Sequence, residues 1–119
     1  MATLNQCLFI GRLGKDPTTL QVTKEGKPFV RFSLAVDQGK SQEAMWLNVI
    51  CWDKVAEAVD KYARKGTSVF VQGRLQMQKY KDKTTQAERL SVEINATNVQ
   101  ILEKKPKEGD ELPDDVLPG

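Results

Sequence analysis

The chain contains no histidine and only two cysteines. Without histidine it lacks the commonest general base, and it carries no G-x-S-x-G, phosphate-cradling or paired-carboxylate motif. Cys7 and Cys51 have no C-x-x-C spacing and lie in apolar, strand-like stretches, which predicts small buried side chains rather than a zinc site. We therefore expect no enzymatic activity, no metal and no cofactor. Turnover by the purified protein would overturn that expectation.

Long apolar runs are also missing. No stretch of about 18 apolar residues is present to span a membrane, and residues 1–6 do not combine a charged segment with an apolar one, as a secretory signal does. These absences predict a cytoplasmic protein. A disulfide between the two cysteines is not expected in such a reducing compartment.

Charge is nearly balanced in total, at +2, but it is separated along the chain. Residues 1–105 hold 17 Lys and Arg against 11 Asp and Glu, whereas residues 106–119 hold one lysine against five acids. A basic body with an acidic extension is typical of a polyanion-binding domain, although ordinary solubilising charge is an alternative. The composition predicts a folded domain over 1–103 and a disordered acidic tail over 104–119, since the tail cannot bury enough apolar surface to order itself.

Aromatic residues are scarce, yet both tryptophans lie within residues 45–53. If this stretch is a strand, its side chains alternate between two faces. One face then carries Trp46, Asn48, Ile50 and Trp52, and the other carries Leu47, Val49 and Cys51. The two indoles would lie about 20 Å apart on one side of the strand. Exposed rings near basic residues suit the stacking of unpaired bases, whereas the alternative is a pair of half-buried core or interface tryptophans.

The neighbouring segments also alternate. Strands are predicted over residues 4–13, 29–37, 67–80 and from about 90 to 102, with an exposed hairpin tip over 81–87. Residues 30, 32, 34 and 36 are expected to face the core, as are 47, 49 and 51, whereas Arg31 and Ser33 face away. Residues 69, 71, 75 and 77 share one parity and Gln76, Gln78 and Tyr80 the other, and residues 90, 92, 94 and 96 alternate again. Val99 and Ile101 change parity, which predicts a β-bulge. Helical spacing after Trp52 predicts about three turns, with Asp53 as N-cap and Gly66 at C′.

The predicted order is therefore three strands, one helix and two strands. Closure of a small sheet removes its exposed edges, and Gly11 and Gly73 would allow long strands to coil. This order predicts an all-β, five-stranded Greek-key barrel with one helix between strands 3 and 4, the OB-fold, which commonly binds oligonucleotides and oligosaccharides. A flat antiparallel sheet with a packed helix is the alternative.

Several motifs resemble those of bacterial, cyanobacterial-like, single-stranded DNA-binding proteins. Residues 10–17, I-G-R-L-G-K-D-P, resemble the family's G-x-L-G-x-D-P opening, and residues 46–52 resemble its W-x-x-V-x-x-aromatic strand. Residues 62–66 resemble its Y-x-x-K-G helix end, and residues 69–75 its V-x-V-x-G-x-L strand. The likeness runs from about residue 4 to residue 102, and the motifs are specific in this order and spacing.

The resemblance implies an OB-fold homotetramer that binds and wraps single-stranded DNA during replication, recombination and repair, in the cytoplasm and associated with the nucleoid. It implies base stacking on Trp46, Trp52 and Tyr80, and phosphate contacts near Arg12, Lys54, Lys65 and Lys79. Arg31, Asn48, Arg74 and Lys81 complete the predicted DNA-binding set, because they share these faces or surround Tyr80. For the tail, it implies that replication and repair proteins bind an acidic tip, here Asp114, Asp115, Leu117 and Pro118.

The sequence departs from the family pattern in three places. The loop over 37–44 is short and has no aromatic residue, and glutamines stand at Gln76 and Gln78 where arginines are usual. Both changes are expected to weaken DNA binding or its salt dependence. The tail keeps acids and a proline but ends in Gly119 rather than Pro-Phe. A primosomal or RNA-binding OB-fold protein is the alternative function, and competition between oligo(dT) and oligo(U) distinguishes the two.

Overall fold

The computed structural model of the chain describes residues 2–40 and 42–103. Within these ranges the elements are β1 (Cys7–Leu13), β2 (Gln21–Val22), β3 (Pro28–Val36), β4 (Met45–Trp52), α1 (Asp53–Tyr62), β5 (Ser68–Lys81) and β6 (Glu88–Glu103). The sheet has the order β1-β5-β6-β4-β3-β2, and additional pairing of β1 with β3 closes it into a ring. β2 is a two-residue strand on β3. The other five strands, with the helix between the third and fourth, confirm the predicted OB-fold.

The barrel core follows from the alternation in β3 and β4. These strands pair antiparallel from Phe29 opposite Trp52 to Val36 opposite Met45. Their inward side chains are buried, as predicted, except that Val36 and Leu47 are partly buried at the edge of the core, and they meet buried residues of β1, β5 and β6. The strands contribute ten residues to this core: Leu13, Val30, Phe32, Leu34, Val49, Cys51, Val69, Val71, Ile94 and Ala96.

Helix α1 covers the barrel with Ala56 and Val59, which are fully buried. Both predicted helix boundaries are wrong. The N-cap is Trp52, which stays extended as the end of β4, and Asp53 is the first residue of α1, with a φ of 54° in the left-handed region. The helix ends at Tyr62, since Ala63 has an extended backbone, and Gly66 therefore lies beyond C′. Gly66 lies in a turn with a φ of 86°, a value that favours glycine.

The β5–β6 hairpin is the longest feature of the sheet. Its register shifts between Gln72 and Gly73, so Thr97 has no residue opposite it on β5 and its hydroxyl donates to the Gln72 carbonyl oxygen at 3.1 Å. This shift confirms the bulge predicted from the parity change before Val99. A Cβ at Gly73 would collide with the backbone of Asn95, so glycine permits this close approach. The tip lies over residues 82–87, where the Asp82 N–H donates to the Ala87 carbonyl oxygen at 2.9 Å.

The outer half of this hairpin projects beyond the barrel. Leu75, Met77, Leu90 and Val92 have the parity of the core but are 40–63% exposed. Shared parity therefore does not bury them in this chain, because no second layer of the described structure covers them. They form one apolar side of the hairpin, which we call the apolar arm face.

Candidate nucleic-acid interface

The outward side chains of four strands form one continuous face. Residues directly opposite each other in a sheet project to the same side. On β3 and β4 the opposed pairs are Phe29 with Trp52, Arg31 with Ile50, Ser33 with Asn48, and Ala35 with Trp46. On β5 and β6 they are Arg74 with Asn95, Gln76 with Glu93, Gln78 with Ser91, and Tyr80 with Arg89. Parallel pairing sets Asn95 beside Ile50 and so joins the two halves. We call this surface across β3, β4, β6 and β5 the aromatic face.

The aromatic face carries all three predicted stacking rings, in different environments. Trp46 is 61% exposed, and Tyr80, near the hairpin tip, is 54% exposed. The Trp46 ring abuts Gly14, where a Cβ would collide with it. Trp52 is half-buried and packs on Phe29, with ring centroids 5.1 Å apart and planes tilted by 37°. Trp46 and Tyr80 thus offer open surfaces, whereas Trp52 is fixed by an aromatic neighbour.

Two cavities lie along the aromatic face. The larger, of about 550 Å³, is lined by Trp52 together with Gln76, Gln78 and Asn95. The smaller, of about 300 Å³, is lined by Asn48 together with Lys15 and Ser91. Arg31 and Glu93 line both cavities and therefore stand at their shared boundary.

Arg31 and Glu93 form an ion pair across the face. The Arg31 Nε donates to a Glu93 carboxylate oxygen at 2.9 Å, and the guanidinium lies 5.5 Å from the centroid of the Phe29 ring. Because β4 lies between β3 and β6 in the sheet, this pair must cross over β4. Ile50 points to this side yet is only 3% exposed. The crossing side chains explain why an outward apolar residue predicted beside the tryptophans is buried.

The other residues predicted to contact phosphate differ in how close they lie to the aromatic face and its cavities. Arg12 on β1 is opposite Ala35 on β3, which is itself opposite Trp46 on β4, so Arg12 is two strands away from that ring. Arg74 is opposite Asn95, which lines the larger cavity, but Arg74 does not line it. Lys54 on α1 and Lys65 in the turn after it are both exposed, and neither lines one of the two cavities. Lys79 and Lys81 alternate with Tyr80 and so project from the opposite side of the hairpin. The predicted tail residues Asp114, Asp115, Leu117 and Pro118 lie outside the described residues.

Sequence reasoning missed several members of the aromatic face. Glu93 and Asn95 were not predicted as site residues, nor were Lys15, Lys27 and Phe29, although all but Phe29 line a cavity. The available signal was the apolar neighbours of Glu93, Val92 and Ile94, whose alternation directs its carboxylate outward. The pairing of Glu93 with Arg31 has no local signal, because the two residues are 62 positions apart in the chain.

The described residues contain no group of three or more His, Cys, Asp or Glu arranged to hold a metal. Burial raises the pKa of Cys51 to about 12, so its thiol stays protonated near neutral pH and is not a reactive nucleophile. Across residues 2–40 and 42–103, no helix has the length and apolarity needed to cross a membrane.

Comparisons of the sequence with a family model and with known proteins agree on one family. Residues 4–102 match the Single-strand binding protein family. Single-stranded DNA-binding protein 1 of Chlorobaculum tepidum is 32% identical over 113 residues, covering 89% of this chain and 69% of the relative. The proteins named single-stranded DNA-binding protein from Enterococcus faecalis and single-stranded DNA-binding protein 1 from Staphylococcus aureus are 38% and 39% identical over 108 residues. Each alignment covers 86% of this chain, and 56% and 67% of the respective relatives. These relatives are bacterial, and the cyanobacterial likeness stays a prediction. With the match spanning most of the barrel, the chain belongs to the single-strand binding protein family.

Proposed function

We propose that this protein binds single-stranded DNA without strong sequence preference, as a non-enzymatic factor in replication, recombination and repair. The observation that carries the proposal is the aromatic face, which presents Trp46, Trp52 and Tyr80 on one side of the sheet with basic and amide side chains among them. Family membership adds to this support.

Binding divides between bases and phosphates. Each base that stacks on a ring contributes about 1–3 kcal/mol, and stacking needs only a π-surface, so all four bases are accepted. Lysine and arginine side chains neutralise phosphates and release counterions, so affinity falls as salt rises. Duplex DNA keeps its base faces stacked inside the helix, and the rings cannot reach them. Discrimination against duplex follows from that geometry.

The direct test uses tryptophan fluorescence. Oligo(dT) is expected to quench the emission of Trp46 and Trp52 at low salt, with little effect from a duplex of equal length. Absence of quenching at low salt would contradict base stacking. Competition with oligo(U) distinguishes the alternative, because preference for oligo(U) would favour an RNA-binding role.

We further propose that the protein is a homotetramer, since one OB domain covers only about 4–16 nucleotides and wrapping a longer strand needs several subunits. Apolar side chains on β1 and on the hairpin support this proposal: Leu8, Ile10 and Met77 are 57–63% exposed in the single chain. Leu8 and Ile10 share one side of β1, and Met77 belongs to the apolar arm face; adjoining exposed apolar side chains of this kind are typical of an interaction surface. Sedimentation with and without oligo(dT) measures both the subunit number and the strand length bound, and a monomer at micromolar concentration would contradict the proposal.

Two further proposals concern the rest of the chain and its place in the cell. Residues 104–119 act as an acidic tail that recruits replication and repair proteins through Asp114 and Asp115, Leu117 and Pro118. The doubly substituted Asp114→Asn, Asp115→Asn chain should keep oligo(dT) binding and lose such partners. A cytoplasmic, nucleoid-associated location is expected, which fluorescence microscopy of the tagged protein tests.

A further inference from the structure

We propose that Glu93 is a built-in competitor of DNA phosphate, which holds Arg31 until a strand displaces it. The inference rests on the proposed DNA-binding function and extends it to a residue that positions another. In this role Glu93 sets how strongly binding depends on phosphate charge rather than on base stacking.

The position of the ion pair is the first argument. Arg31 and Glu93 line both cavities of the aromatic face and stand between Trp52 on one side and Asn48 on the other. A strand that follows β4 from Trp52 towards Trp46 therefore meets this pair. The pair is not part of the barrel core, because it crosses over the outer side of β4.

The unequal exposure of the two side chains is the second argument. The Arg31 side chain is 53% exposed, whereas the Glu93 side chain is only 23% exposed. The hydrogen bond to Glu93 engages Nε, and a guanidinium has further donors on its two terminal nitrogens. A phosphate can therefore approach Arg31 from solvent while Glu93 remains in place on β6.

The charge balance of the exchange is the third argument. In the free protein the Arg31 charge is already compensated by Glu93, so transfer of Arg31 to a phosphate leaves a carboxylate that takes up a cation. The cation that the DNA releases is thus offset by the cation that Glu93 takes up, and the contact between Arg31 and phosphate adds little to the salt dependence of binding. Replacing Glu93 by glutamine removes the offset, and the slope of log affinity against log salt should become steeper by about 0.7, the value for one phosphate on a single strand.

The experiment measures oligo(dT) affinity against salt for the full chain and its Glu93→Gln variant. The variant is expected to bind several-fold more tightly at about 50 mM salt, and this advantage should shrink by about 2.5-fold at about 200 mM. Glu57→Gln is the matched control, because Glu57 is exposed on α1 and its loss changes the net charge equally. If Glu93→Gln fails to fold, Glu93→Thr replaces it, since a β-branched residue suits a strand.

The same substitution in an Arg31→Gln background decides whether Glu93 acts through Arg31. The slope change should disappear there, and its persistence would overturn the proposal. An unchanged slope or weaker binding in the single Glu93→Gln variant would also overturn it. These outcomes are distinct from failure of the proposed function, in which the unsubstituted chain itself would not bind oligo(dT).

Discussion

Replacement of Trp46 by alanine separates its contribution to binding from its contribution to folding. Trp46 is 61% exposed. A tryptophan can bury roughly 250 Å², so this side chain buries about 100 Å². At about 25 cal/mol per Å², and allowing for a compact unfolded state, the loss of stability is below about 2 kcal/mol. Because the free energy of unfolding of a native domain is about 5–15 kcal/mol, the variant should stay folded. Loss of one stacked base costs about 1–3 kcal/mol, which weakens binding about 5- to 150-fold.

The assay uses the fact that the chain has only two tryptophans. Trp46→Ala and Trp52→Ala are each single-tryptophan proteins, so quenching by oligo(dT) reports each ring separately. Thermal unfolding serves as the control, and Trp52→Ala should lose more stability because its ring packs on Phe29. The reasoning about Trp46 would be refuted by a Trp46→Ala variant that binds like the unsubstituted protein. It would equally be refuted if the ring remaining in Trp52→Ala were not quenched.

Three further predictions follow from single contacts. Gly14→Ala should displace the Trp46 ring that abuts it and weaken oligo(dT) binding several-fold with little change in melting temperature; unchanged binding would show that the contact does not position the ring. Because burial raises the pKa of Cys51 to about 12, its thiol should resist alkylation at pH 8 until the protein unfolds, while the partly exposed Cys7 reacts first; mass spectrometry of the labelled peptides checks the order. Ile10→Glu should lower the mass of the assembled species in sedimentation, since the side chain is 62% exposed on β1, and an unaltered mass would remove this residue from any subunit contact.

Local sequence patterns predicted the elements in which alternate side chains point clearly to the core or to the outer face. The alternation of β3 and β4 identified Val30 and Val49 as core residues, and the parity change before Val99 located a bulge. These features are short-range, because the period of a strand is fixed by its backbone. The same alternation placed both tryptophans on the outward side of β4.

Features that depend on distant segments were not predictable in this way. Ile50 is buried on the outward face because side chains from β3 and β6 meet above it. Met77 is exposed despite its core parity because the hairpin outgrows the barrel. Asp53 has a good capping side chain, but Trp52 remains in the sheet until the helix starts, so capping chemistry did not decide that boundary. In each case the outcome depends on tertiary context.

The two sides of the β5–β6 hairpin have a thermodynamic consequence. One side carries Tyr80, and the other is the apolar arm face, so in the proposed tetramer the same pair of strands would contact both a base and a neighbouring subunit. A subunit that packed on the apolar arm face would order the hairpin that DNA also contacts, so that each partner would lower the entropic cost of binding the other. Reciprocity then requires that DNA tighten the association of subunits by the same factor by which association tightens DNA binding.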